Sequence, residues 1–152
     1  MKLTAYQSDI YNGIICPYCK SKTKVVSEEH IYGKSYNGKS MICCVNFPKC
    51  DSYCGTHKED GSSLGRLADN TLRQYKKVTH NLFDKLWNEH KLNRSNCYYW
   101  LSEKLDLPIE FTHIGWFSIK TCKKVIKIFN DTEISDIINE ILDSGLEVHD
   151  YD

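Results

Sequence analysis

Six of the eight cysteines in this 152-residue chain fall between residues 16 and 54: Cys16, Cys19, Cys43, Cys44, Cys50 and Cys54. Cys16-Pro17-Tyr18-Cys19 places two thiols at a spacing that lets both reach one tetrahedral metal ion. A second pair must come from downstream, and Cys44-Val45-Asn46-Phe47-Pro48-Lys49-Cys50 offers it. Four thiolates at ~2.3 Å around zinc make a closed structural site with no position open to a substrate. Lys24-Val25-Val26-Ser27 and Ser40-Met41-Ile42-Cys43-Cys44-Val45 are β-rich, and Tyr36-Asn37-Gly38-Lys39 supplies a hairpin turn, because Asn-Gly tolerates positive φ. A β unit this small seldom folds on apolar burial alone, which gives the metal an energetic role. Cys43 and Cys44 point to opposite faces of a strand, so only one readily serves the metal, and spacing favours Cys44. The competing reading is a cluster of buried thiols packed as small hydrophobes.

The Cys16–Cys19 and Cys44–Cys50 pairs resemble the C-terminal zinc ribbons of type IA DNA topoisomerases, which bind single-stranded DNA. A longer resemblance, over about residues 14–129, is to a family of small bacterial and phage proteins described as zinc-finger-containing, without a settled function. Besides the knuckle, it is carried by Ile31-Tyr32-Gly33-Lys34-Ser35-Tyr36, Leu64-Gly65-Arg66-Leu67-Ala68-Asp69, and His113-Ile114-Gly115-Trp116-Phe117 with Cys122 shortly after. The resemblance implies a zinc ribbon fused to a helical region, with Cys16, Cys19, Cys44 and Cys50 as ligands, and implies no reaction. Cys43, Cys54 and the acidic segment 131–152 depart from that family pattern.

The rest of the chain reads as helices. Over 64–90, Leu72, Tyr75, Val78, Leu82 and Leu86 recur at three- and four-residue steps, with Asp69 as N-cap. A second helix runs from Ser95 to about Leu105 and stops at Leu107-Pro108. A third starts after Ser118 and continues to about Phe129. A fourth, over about Glu133 to Asp143, has Gly145 as its stop. The expected fold is α+β: an N-terminal four-cysteine zinc ribbon, the β part, packed with a C-terminal region of three to four helices. The divisions are a zinc-ribbon unit over 1–60, a helical region over 61–130, and an acidic amphipathic helix and tail over 131–152.

Charge bears on partners. The chain holds 20 Lys+Arg and 20 Asp+Glu, a formal net charge of zero. Residues 1–130 hold all 20 basic residues and 12 of the acids, a net of +8, whereas 131–152 hold the other 8 acids. A neutral total therefore does not exclude nucleic acid. Arg73, Lys76, Lys77 and His80 fall within roughly 100° of one helix face, and Lys120, Lys123, Lys124 and Lys127 within a similar arc of another. Both can be ordinary solvated faces. Beside a zinc ribbon they also suit phosphate contact, with Tyr18, Tyr32, Tyr36, Phe47 and Tyr53 either stacking on unpaired bases or forming the small ribbon core. Most simply, the acidic helix packs Ile134, Ile137, Ile138 and Ile141 on the body and solvates Glu133, Asp136, Glu140 and Asp143. Two sharper readings are that the acids lie over a lysine stripe, or that the apolar face docks into a groove on a partner protein.

A second metal site from Cys54, His57, His113 and Cys122 is conceivable, but Cys122 shares a helix face with Ile119, Ile126 and Phe129, which favours packing. No metalloprotease, phosphate-loop, nucleophile-elbow or dinucleotide motif occurs. Glu28-Glu29-His30 reads as decoration of a strand or turn rather than a general-base cluster. The expectation is a non-enzymatic zinc-ribbon protein that binds nucleic acid through basic helix faces, in a regulatory role. The alternative is a phage-type protein-interaction module that binds and inhibits or redirects a host protein. Zinc is the expected cofactor. The start of the chain lacks a signal-type apolar segment and no run suits a membrane span, so a reducing cytoplasm is expected.

Overall fold

The computed structural model describes residues 2–144 and divides the chain after Arg73 into two units, each built differently. The first opens with α1 (Ala5–Tyr11), a helix that buries none of its residues and is set by a capping box between Thr4 and Gln7. A three-stranded antiparallel sheet follows, in the order β1 (Thr23–Ser27), β2 (Ser40–Cys44), β3 (Tyr53–Gly55). Register pairs Thr23 with Cys44 and Ser27 with Ser40, then Met41 with Gly55 and Cys43 with Tyr53. The small core of this unit is Cys16, Ile42, Cys44 and Leu67, with Cys50 and Cys54 packed against it.

Between β1 and β2 the chain does not make the expected tight hairpin. It passes through α2 (Glu28–Tyr32), capped by Ser27, and a loop over 33–39. Gly38 does take the left-handed φ that the Asn-Gly pair suggests (+69°), but within this longer connection. Glu28 organises it. Its carboxylate is buried and accepts N–H bonds from Tyr36 (2.6 Å), Asn37 (3.0 Å) and Lys39 (2.9 Å). These bonds favour the ionised form and hold the carboxyl below its ordinary range. The reading of Glu28 as decoration is thereby replaced by a structural role.

Residues 64–69 are not helical, contrary to the helical range expected from residue 64. They run along the open edge of β3, where the N–H groups of Leu64 and Ala68 donate to the carbonyls of Gly55 and Tyr53. A free strand edge offers unpaired backbone groups, and this segment satisfies them. The helix then starts at the residue after Asp69, whose carboxylate accepts from the Leu72 N–H at 2.9 Å.

That helix, α3 (Asn70–Phe83), runs from the first unit into the second. Its hydrogen-bond ladder continues through Asp84 into α4 (Lys85–Asn88), because Asp84 donates to His80 and Asn88 to Asp84. Next come α5 (Arg94–Leu105), capped by Asn93, α6 (Ile119–Asp131), capped by Ser118, and α7 (Ile134–Ser144). Helix α5 stops at Asp106, which adopts φ +52°, two residues before Pro108. The predicted Gly145 stop lies outside the described residues. Phe83, Leu86, Leu101, Val125, Ile137 and Ile141 are almost wholly buried here. Cys122 is also buried, as the face analysis of its helix requires, whereas Val78 is 44% exposed. No described helix is long and apolar enough to cross a membrane.

Candidate metal centre

Two loops of the first unit bring the cysteine pairs together. In the first, the Cys16 N–H donates to Ser21 (2.8 Å), the Lys20 N–H donates to Cys16 (3.0 Å), and Lys20 takes φ +63° to close the turn. In the second, the Phe47 N–H donates to the Cys44 carbonyl and the Cys50 N–H to that of Asn46, both at 3.0 Å. The Sγ atoms of Cys16, Cys19, Cys44 and Cys50 all lie within 4.8 Å of one another. Cys16 and Cys50 are 3.7 Å apart, and Cys19 and Cys44 3.3 Å. Four sulfurs each ~2.3 Å from one zinc ion stand about 3.8 Å apart at the corners of a tetrahedron, so the set fits that ion.

Strand alternation separates the neighbouring thiols as expected. Cys44 joins the group and Cys43, equally buried, does not. Burial pushes the Cys43 thiol up and the Cys44 thiol up to about 12, while exposed Cys19 is brought down to about 6 by donors from Ser21 and from Cys44. A cation supplies what burial withholds, since coordinated thiols are held as thiolates.

Two residues not singled out in the sequence complete the surround. The Asn46 N–H approaches the Cys44 sulfur (3.4 Å), and its side-chain amide spans Cys19 Sγ (3.6 Å) and Ser21 Oγ (3.0 Å). Buried Ser52 sets its hydroxyl 3.1 Å from Cys16 Sγ and 3.8 Å from Cys50 Sγ. Such donors orient thiolates and spread their charge. The signal for both was a polar residue two places after a ligand.

A family model described as a zinc-finger-containing domain matches residues 12–132. The chain belongs to this family. The match takes in all four clustered cysteines and stops just inside the acidic segment, and with the geometry it identifies the centre as a zinc site. No curated protein and no solved structure matches the chain. The likeness to topoisomerase ribbons remains one of spacing. Among the described residues, no other group of Cys, His, Asp and Glu is arranged to hold a metal ion; Cys54 instead packs against the ribbon core, with its thiol 3.7 Å from the Gly65 carbonyl.

The basic residues are placed unequally. Lys120, Lys123, Lys124 and Lys127 are all exposed along α6. Lys127 pairs with Asp131 (2.7 Å), and Lys123 lies 5.5 Å from the Tyr75 ring. On α3, Lys77 and His80 are exposed, and His80 sits 3.3 Å from Asp84. Lys76 donates to the Gly115 carbonyl at 2.8 Å. Arg73 is engaged within the first unit: it pairs with Asp51 (2.8 Å), donates to the Ala68 carbonyl (2.6 Å) and covers the Tyr53 ring at 4.0 Å. The ribbon aromatics divide as well. Tyr36, Tyr32 and Tyr18 are exposed, while Phe47 and Tyr53 are half-buried.

Proposed function

We propose that the chain is a non-enzymatic zinc protein that binds nucleic acid through basic helix faces, in a regulatory role. The observation that carries this reading is the α6 stripe. Four lysines stand exposed on one side of a helix whose other side buries Cys122 and Val125. They span about 10 Å of helix axis, so their ammonium groups suit adjacent phosphates and release condensed counterions. The Lys127–Asp131 pair is solvent-exposed and of the weak kind that a phosphate can displace. On α3 the contribution falls mainly to Lys77 and His80, since Arg73 and Lys76 already serve the fold. Four thiolates on zinc leave no coordination position for a substrate, which supports a binding rather than a catalytic role.

Salt titration of oligonucleotide binding tests the reading. Four phosphate contacts give a log–log slope of about −3. Changing Lys120, Lys123, Lys124 and Lys127 together to Gln should weaken binding and flatten that slope. Wild-type affinity and slope in the quadruple variant would refute the stripe.

A second reading, a module that binds a host protein, is favoured by one surface of the first unit. Ile14 (53% exposed) and Val25 (67% exposed) line a groove edged by Lys20, Lys22 and Lys24. It predicts salt-tolerant co-purification with one protein after nuclease treatment.

A further inference from the structure

The loop between α2 and β2 poses a physical question. Every residue from 32 to 39 is exposed, so the loop is not ordered by burying its own side chains. Yet a buried carboxylate, Glu28, commits both oxygens to its backbone. A buried charge is costly unless fully hydrogen-bonded, and here those bonds fix a surface loop. What the loop displays is Tyr36, 62% exposed, with the Lys34 ammonium 5.1 Å from its ring.

Tyr36 begins a row of rings. It meets Tyr32, itself 46% exposed, at 5.8 Å and 80°. Tyr32 meets Tyr53 at 5.9 Å and 90°, and Tyr53 meets Phe47 at 6.0 Å and 84°. Each perpendicular contact uses one edge or one face of a ring, so the inner rings brace the outer two without covering them. We propose that Tyr36 and Tyr32 form a stacking platform for the unpaired bases of a single-stranded nucleic acid. The inference rests on the reading that the chain binds nucleic acid, and it assigns the strand state.

Charge complementarity selects this occupant. Lys34 and Lys39 lie on the loop itself, and Arg73 covers Tyr53 farther along the row. Of the acids here, Glu28 is bonded by three N–H groups and Asp51 by Arg73, while Glu29 at the start of α2 is exposed to solvent. Aromatic faces beside cations suit a polyanion whose bases are free to stack, and stacking accepts any base. A duplex keeps its base faces inside the helix and cannot use the platform. A protein partner would take the same tyrosines as apolar anchors but has no uniform need for the cations.

The test uses the full zinc-loaded chain, an unstructured oligothymidine and a duplex of equal length, at one salt concentration. Wild type should prefer the single strand. Tyr32→Ala with Tyr36→Ala should weaken oligothymidine binding by about tenfold or more and leave duplex binding unchanged. Tyr36→Phe, which keeps the ring, should bind as wild type. One zinc per chain in each variant reports an intact ribbon. Equal oligothymidine affinity in the double-alanine variant, or equal wild-type affinity for strand and duplex, overturns the inference. If the α6 lysine variant loses binding while the tyrosine variant keeps it, the inference fails and the reading beneath it stands. If wild type binds neither probe, both fall. Tyrosine variants that lose a protein partner but hold oligothymidine normally assign the platform to that partner and overturn the inference.

Discussion

The two units solve the same problem with different materials. In the second, buried side chains such as Phe83, Leu101 and Ile137 supply the apolar area that offsets chain entropy. In the first, the buried cluster is largely sulfur: Cys16 and Cys44 beside Ile42 and Leu67, with Cys50 and Cys54 at its margin. Three of those thiols are also zinc ligands, so in the ribbon the core and the metal centre are one object. The lesson is that loss of the metal and loss of a methylene group should act on different units and to different extents.

The largest expected effect follows from that contrast. Apparent zinc affinities in comparable small domains correspond to about 10–16 kcal/mol, which is folding free energy for a unit with little other core. Cys44→Ala should therefore lose zinc and the ribbon sheet, as read by metal analysis and by amide exchange in β1 and β2. Cys43→Ala, which removes an equally buried thiol outside the cluster, should keep one zinc per chain. Zinc loss from Cys43→Ala with retention by Cys44→Ala would reverse the ligand assignment. Exchange protection in α5 should change much less than in the strands if the two units depend on different terms.

In the helical unit the corresponding break is Phe83→Ala. Phe83 is fully buried and packs edge-on against Trp87 and Tyr98, each at a centroid distance of 4.9 Å. Removing it should cost about 3–5 kcal/mol, seen in denaturant unfolding of the helices, with zinc still bound. Coincident loss of zinc would show that the two units do not respond separately.

The contrast also explains what could be read in advance. The ligand set was legible because metal coordination imposes short, discrete spacings, and strand alternation separated Cys44 from Cys43. The starts of α3 and α6 were legible because Asp69 and Ser118 act through the next three residues. Segment 64–69 misled because the expected helical range begins at residue 64, although the periodic residues start only at Leu72 and the Asp69 cap lies between, while the open edge of β3 needed the backbone of Leu64 and Ala68. Glu28 was equally opaque. Its partners lie 8 to 11 residues away and are backbone N–H groups, which carry no side-chain signature.

Glu28 supplies the next sharpening, a local one within the metal-held unit. Its folded carboxyl titrates below the ordinary value, so its contribution is fully present above that value and fades as pH falls through the depressed one. Glu28→Gln keeps one acceptor oxygen and turns an NH2 group towards an N–H donor. It should speed amide exchange at Tyr36, Asn37 and Lys39 near neutral pH without releasing zinc. The difference from wild type should shrink in acid, as the wild-type carboxyl protonates. Unaltered exchange at these three amides at neutral pH would mean that the loop is ordered by something other than Glu28.

The smallest effect concerns the acidic helix. Ile137 and Ile141 of α7 are buried, so deleting the C-terminal segment would open the helical core and could not isolate an effect of its charge. Single substitutions can. Glu140 accepts from the Trp100 indole N–H (2.9 Å) and pairs with Lys104 (3.1 Å), both on α5. Its carboxyl is held below the usual range by those two partners, the indole first. The ion pair is about two-fifths exposed on each side, which limits its worth to about 0–1 kcal/mol. Glu140→Gln can keep an acceptor for the indole while losing the charge, so stability should fall by under ~1 kcal/mol, and less at high salt. It should leave nucleic-acid affinity unchanged, because this acid is engaged on α5 rather than on the α6 stripe. A rise in affinity with Glu140→Gln alone would show that the acid restrains the basic faces despite its pairing. A rise only when Glu133 and Asp136, both exposed, are also neutralised would assign that restraint to the solvated acids of α7.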